Sequence, residues 1–246
     1  FSTDHQKLYG AGLEASLLTG DIVPSKMNMR LGDRWQVINA YYFETEGVAI
    51  LFVRPLLSKL EDEVREDIAS ARLLVMELAT GKTLQDLQGD FGRAEDLPVA
   101  AHGQWIAAAQ DSLRVWDRTT GALIFSSAIA DGFPPHQIAF SGDGLLLASA
   151  AMHTGAVTVW NTGTWKKCWQ AKLIDEQVHH ICFAPASHQL WVAGASGLTG
   201  WQINAKSAPK KPQVAIQGQA RNIAWSQDGK RLYVAGNDEV RIYVRN

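Results

Sequence analysis

The stretch from Ile138 to Asn161, IAFSGDGLLLASAAMHTGAVTVWN, is copied in whole or in part along the rest of the chain. The spacing of those copies limits what the chain can fold into. Ile138, Ala139 and Phe140 form a brief apolar run. Ser141-Gly142-Asp143-Gly144 is turn chemistry, because Gly accepts a positive φ and Ser and Asp side chains bond the local backbone. Leu145 to Ala151 is a nearly continuous run of small and branched residues, the pattern of a strand covered on both faces. His153-Thr154-Gly155 makes a second turn. Ala156 to Trp160 then alternates, with Val157 and Val159 on one side and Thr158 and Trp160 on the other. After Asn161-Thr162-Gly163, Lys166 to Lys172 supplies a fourth strand.

Five further stretches follow the same plan. Phe1-Ser2-Thr3-Asp4 matches Phe140 to Asp143; Lys7 to Gly12 reads as the next strand, and Ser16 to Thr19 as part of a third. The second unit runs through Trp35 to Phe43, Val48 to Val53 and Arg72 to Leu78. The third runs through Leu97 to Ala101, Trp105 to Ala109 and Leu113 to Asp117. The fifth holds Ile181 to Phe183, Leu190 to Ala195 and Leu198 to Ile203. The sixth holds Ile223 to Ser226, Arg231 to Ala235 and Val240 to Val244. First-strand markers at Phe1, Phe43, Ala100, Phe140, Phe183 and Trp225 recur about every 42 residues, with one longer step that contains an insertion. Third-strand anchors at Met76, Trp116, Trp160, Trp201 and Tyr243 keep the same period. Two independent markers thus give one repeat.

A four-stranded antiparallel unit of this size cannot bury both faces alone, and packing copies radially around an axis leaves only short edges. The period resembles that of the WD40 class of β-propeller. So do the Trp116-Asp117 and Trp160-Asn161 dipeptides, the Ser-x-Asp-Gly turns after Phe140 and Trp225, and the Asp-x-x-Thr-Gly turn after Trp116. The Gly-His dipeptide that the family carries before its first strand is missing. The resemblance implies an all-β fold of four-stranded antiparallel blades, six in number or seven if another unit precedes Phe1, as a single domain over residues 1–246. It also implies that a segment before Phe1 donates the outermost strand of the last blade.

Composition narrows the function classes. The chain has 246 residues, of which 46% are hydrophobic, and its nine Trp suit the filling of layers between sheets. A net charge of −2 and the lack of a basic stripe argue against nucleic acid. Lys206, Lys210 and Lys211 lie together, but in a loop containing proline. No apolar run approaches the ~18 residues that span a bilayer. Cys168 and Cys182 fall on strands at opposite edges of successive units, which favours free buried thiols and a reducing, cytoplasmic setting, although a chain starting at Phe1 leaves room for a removed leader.

Two features are candidates for function. The insertion at about 56–70 has a capping box, Ser58-x-x-Glu61, and an apolar stripe of Leu60, Val64 and Ile68. Glu61, Asp62, Glu63, Glu66 and Asp67 make its other faces acidic, with Arg65 among them, so a short amphipathic helix is expected as a docking element or a surface decoration. The second feature is the position four residues before each first-strand marker: Asn39, Asp96, His136, His179 and Arg221, all polar or charged. These should rim the central opening on one face, with Arg34, Trp35 and Phe133 nearby as residue types that anchor interfaces. Of the seven His, only His136 and His179 share that rim, whereas a catalytic zinc needs three converging ligands. His180 is expected to alternate to the other side of its strand. No Gly-rich phosphate loop, nucleophile elbow or Cys/His pairing stands out, and Thr80-Gly81-Lys82 is a hairpin turn. That turn is also similar to those of quinone-cofactor propellers, which place a Trp five residues after the turn Thr; only Trp169, counted from Thr164, fits. The expected function is a non-enzymatic scaffold, a monomer or a subunit of a larger complex, binding a protein or peptide without cofactor or metal. The alternative is an enzyme or small-ligand receptor that uses the central channel.

Overall fold

The computed structural model of the chain describes residues 7–10, 13–16, 22–24, 35–43, 47–55, 71–87, 89, 91, 97–128, 134–173, 177–204, 209–226 and 228–245, the first three ranges by backbone alone. The expected helical insertion lies outside the described residues. Among those residues every regular element is a strand, and the strands form six antiparallel sheets that follow chain order. The first sheet holds β1 (Lys7–Gly10), β2 (Leu13–Ser16) and β3 (Ile22–Pro24). The second holds β4 (Trp35–Phe43), β5 (Val48–Pro55), β6 (Arg72–Glu77) and β7 (Thr83–Leu87). The third is β8 (Val99–His102), β9 (Trp105–Ala109), β10 (Ser112–Asp117) and β11 (Leu123–Ala128). The fourth is β12 (Gln137–Phe140), β13 (Leu146–Ala150), β14 (Ala156–Asn161) and β15 (Lys166–Lys172). The fifth is β16 (Val178–Phe183), β17 (Gln189–Gly194), β18 (Gly197–Gln202) and β19 (Val214–Gln217). The sixth is β20 (Asn222–Trp225), β21 (Arg231–Ala235) and β22 (Val240–Val244).

In the first unit β2 runs antiparallel to β1 with Gly10 opposite Leu13; of the third strand expected over Ser16 to Thr19, Ser16 lies in β2 and the rest is outside the described residues. Elsewhere the sheets share one register. Phe140, Leu147 and Trp160 lie in a row across three strands, as do Phe183, Leu190 and Trp201, and Trp225, Leu232 and Tyr243. The second sheet has Tyr42, Ala49 and Met76 in that row, so the first-strand marker there is Tyr42 and not Phe43. A one-residue slip moves a side chain to the other face, which is why the distinction matters. The same closing bond follows each row: the N–H of Leu78, Arg118, Thr162, Ile203 and Arg245 donates to the carbonyl of Gly47, Gln104, Leu145, His188 and Lys230 respectively.

Turn chemistry repeats as closely. The Ser141 hydroxyl donates to Asp143 at 2.6 Å and accepts the N–H of Leu146 at 3.0 Å. Ser226 does the same with Asp228 at 2.6 Å and the Arg231 N–H at 2.9 Å. After the third strand, Asp117 Oδ1 accepts the N–H of Thr119 and Thr120, and Asn161 Oδ1 accepts that of Thr164. Gly144 has a φ of +70°, and a Cβ there would come within 2.4 Å of the His102 ring, so only glycine serves. The turn is gripped from both sides: His102 Nε2 lies 2.9 Å from the Gly142 carbonyl, and His188 Nε2 lies 2.7 Å from Asp143 Oδ2. Burial alone would raise the Asp143 carboxyl, but the Ser141 hydroxyl, the Leu145 amide and His188 outweigh it and hold the group at about 2.

Contacts divide the chain into two compact units. In the first, Phe52 meets Phe91 at 6.4 Å, and Phe91 meets the fully buried Trp116 at 5.8 Å. Gln85 Nε2 donates to the Thr119 carbonyl at 2.6 Å. In the second, one core cluster joins Leu146, Ala148, Val157 and Val159 to Ile181, Leu190, Val192 and Trp201. Another joins Trp191, Ala193 and Leu198 to Ile223, Leu232 and Val234. There β8 packs on β12, β12 on β16 and β16 on β20, so first strands lie against first strands. Trp160 is met by Phe125 at 6.4 Å, and Trp201 by Trp169 at 5.0 Å. Both cysteines are free; burial pushes the Cys182 thiol up to about 12.

Trp160→Ala is expected to cost about 3–5 kcal/mol in denaturant unfolding, as for other buried aromatic truncations; a loss below about 1 kcal/mol would mean that the slot is not packed. The Asp143 carboxyl is depressed, so its contribution is present above the ordinary carboxylate range and is lost as pH falls through about 2. Asp143→Asn should therefore flatten the decline of the melting temperature between about pH 4 and pH 2; an unchanged acid limb would exclude this turn as its source.

Candidate functional site

The candidate face is built by a bulge at the start of the first strands. In the second sheet the register shifts between Val37 and Asn39, and in the fifth between Val178 and His180. In the fourth and sixth sheets His136 and Arg221 donate their N–H to the carbonyls of Ala150 and Ala235, which already face Gln137 and Asn222. Two residues of the first strand thus oppose one residue of the second, which bends the strand and re-aims its side chains. Counted from the common row, Asn39 falls with Gln137, His180 and Asn222, whereas Ile38 takes the position of His136, His179 and Arg221. The expected alignment of Asn39 with the latter three is one residue out, by the same slip that separates Phe43 from Tyr42.

The expected residues fare differently in detail. Asn39 is half-buried; its Nδ2 donates to the Tyr41 hydroxyl at 3.1 Å, which in turn donates to the Leu97 carbonyl. Trp35 is half-buried beneath Arg72, whose guanidinium carbon lies 4.7 Å from the ring centroid, and Arg72 pairs with Asp86 at 2.9 Å. Trp35 is therefore committed to its own sheet. His179 is half-buried, with Nδ1 at 3.0 Å from the Ala220 carbonyl, a bond that ties the bulge to the connection before β20. Arg221 is exposed, with Nε donating to Asn237 at 2.5 Å. Arg34, Glu61, Glu63, Arg65, Glu66, Asp96 and Phe133 lie outside the described residues.

The imidazoles in the second unit gather differently from the expectation. The register shift between Val178 and His180 interrupts the alternation expected at His180. Burial, with His136 nearby, lowers His180 to about 4. His136 is also lowered, chiefly by burial; the backbone of Val178, His179 and Ala150 opposes this and His153 adds to it. Neither His136 ring nitrogen, nor His180 Nδ1, has a hydrogen-bond partner among the described residues. Burial favours the neutral form of both rings near pH 7. Among the described residues no three His, Cys, Asp or Glu side chains come together as metal ligands would.

Four residues escape a reading of the first strands alone. His153, Gln219, Asn237 and Arg241 join the face from connections or from β22. Asn237 Nδ2 donates to Gln219 Oε1 at 2.5 Å, and Arg241 donates to the carbonyls of Gln217, Gly218 and Gln219 at 3.1, 3.1 and 2.6 Å. The available signal was positional: the turn between second and third strands reaches the same end of a sheet as the start of the first strand.

No family model matches the chain. It is 30% identical over 110 residues to the small ribosomal subunit protein RACK1 of Candida albicans, a match over 42% of this chain and 34% of that protein. The chain thus spans about a third of the curated relative it matches. Among solved structures it is similar to a chain in the crystal structure of a mitotic checkpoint complex, with a TM-score of 0.63 and 14% identity, over 95% of this chain and 81% of that one. The second likeness speaks to the fold alone. Together with the repeated sheets and their common register, these similarities identify the fold as a WD40-like β-propeller built from degenerate repeats.

Proposed function

We propose that the chain is a non-enzymatic protein-interaction scaffold, one propeller domain over residues 1–246, which binds a protein or peptide through the face carrying His136, His179 and Arg221. The observation that supports this most is the extra residue at the start of the first strand in the fourth, fifth and sixth sheets, which is polar or charged in all three: His136, His179 and Arg221. Rigid sheets with polar positions at one end favour a recognition surface over a reacting centre; among the described residues no nucleophile is paired with a base there. Two similar proteins are named as parts of assemblies, a ribosomal subunit and a checkpoint complex, which fits a subunit of a larger complex. The acidic insertion with Glu61, Glu63, Arg65 and Glu66 is a second docking element of the same scaffold, and the setting is cytoplasmic.

The test compares affinity capture by the tagged full chain with capture by two variants, a deletion of residues 56–69 and the pair His179→Ala with Arg221→Ala. The partner recovered with the unaltered chain should fall at least fivefold with the pair, and the deletion should weaken it while the melting temperature is held. Full recovery by the paired variant would overturn the assignment of this face, and full recovery by the deletion would remove the insertion from the interface.

A further inference from the structure

Arg221 is exposed, yet it is held. Its Nε donates to Asn237 Oδ1 at 2.5 Å, and Asn237 Nδ2 donates to Gln219 Oε1 at 2.5 Å. The connection carrying Gln219 is itself clamped, since the Arg241 guanidinium bonds the carbonyls of Gln217, Gly218 and Gln219 and pairs with Glu239 at 3.2 Å. Gly218, at a φ of +101°, lets the backbone come this close; a Cβ there would lie 2.8 Å from Arg241 Nη1. The two arginines therefore have different duties. Arg241 is spent on backbone carbonyls. Arg221 uses only its Nε, and its two terminal nitrogens have no partner among the described residues. No carboxylate among those residues pairs with it.

A long exposed side chain ordinarily keeps its rotamer freedom, and holding it in one geometry is unfavourable unless another group gains from it. With Nε engaged by Asn237 and the side chain exposed, the Nη1 and Nη2 edge is left for a carboxylate with two parallel bonds. One free guanidinium carries one charge, which suits a carboxylate better than a doubly charged phosphate. We infer that this face recognises an acidic peptide segment, with Arg221 binding an Asp or Glu carboxylate and Asn237, Gln219 and Arg241 as the residues that position it. This deepens the proposed scaffold function and rests on it, since it names the chemistry of the partner at the same face.

The probe is a fluorescent oligo-glutamate peptide titrated into the full chain at low salt, with binding read by anisotropy. Arg221→Gln should weaken binding at least fivefold, and Asn237→Ala, which frees the side chain but keeps its charge, about two- to threefold. Arg231→Gln removes the same charge at the opposite end of the sixth sheet and should leave affinity unchanged. All three variants alter exposed residues, and equal melting temperatures with the unaltered chain confirm that each is folded. Equal losses with Arg221→Gln and Arg231→Gln would mean attraction to net charge only and would overturn the inference, as would an unchanged affinity in Arg221→Gln. If the cellular partner is lost with His179→Ala while Arg221→Gln binds both peptide and partner normally, the carboxylate inference fails and the face assignment stands. If neither variant affects the partner, the face assignment fails first.

Discussion

What the architecture depends on is a slot filled in three successive repeats, where a third-strand Trp meets an aromatic ring supplied by the preceding repeat. Phe91 fills it for Trp116, Phe125 for Trp160 and Trp169 for Trp201, at centroid distances of 5.8, 6.4 and 5.0 Å. A thin antiparallel sheet has two apolar faces and cannot hide either by itself. The slot answers this by giving each sheet a contact that is completed only by its neighbour. Large aromatic rings bring enough area and enough shape to fix the spacing between layers. The repeated closing bond two residues beyond each anchor then keeps the slot at one height in five sheets.

Much of this layout was readable in the sequence. The Trp anchors and the Ser-x-Asp-Gly turns are local signals, and their hydrogen bonds at Ser141 and Ser226 are the ones their chemistry dictates. What could not be read was pairing. Phe43 and Tyr42 are both aromatic, so composition cannot say which of them faces Ala49, and only the ladder decides. The bulges are hidden for the same reason, because an extra residue is extra only relative to a partner strand. Counting from Phe43 instead of Tyr42 moved Asn39 into the wrong row, and the unread bulge of the fifth sheet interrupts the alternation expected at His180.

The same bulge explains the electrostatics of the face. In the row of His180, other sheets place Asn39, Gln137 and Asn222, which are polar but cannot titrate. Uncharged polar groups are what a strand end facing a neighbouring sheet tolerates, since a charge there would lose solvent without gaining a partner. Histidine meets that requirement only in its neutral form. Burial lowers both His136 and His180; His153 adds to the lowering at His136, and His136 to that at His180. The pair therefore behaves at neutral pH as amides do in the equivalent sheets. Charging either ring in acid would act against packing between β12 and β16, because a folded-state value of about 4 for His180 makes the unfolded chain the better proton acceptor as pH falls below about 6.5.

Of the two arginines described on this face, Arg241 is engaged by backbone carbonyls and Glu239, and Arg221 is the one left to meet a partner. Arg221 stands in solvent and is held by Asn237, so it costs no desolvation until a partner arrives. A partner carboxylate that displaces water from the guanidinium edge meets a donor already in position, and the ordering cost has been met by the Gln219 and Arg241 clamp. Among the described residues the face thus presents an exposed guanidinium held in place by Asn237. Such an arrangement discriminates by where a carboxylate sits along a peptide rather than by total charge, because only one point on the face rewards it.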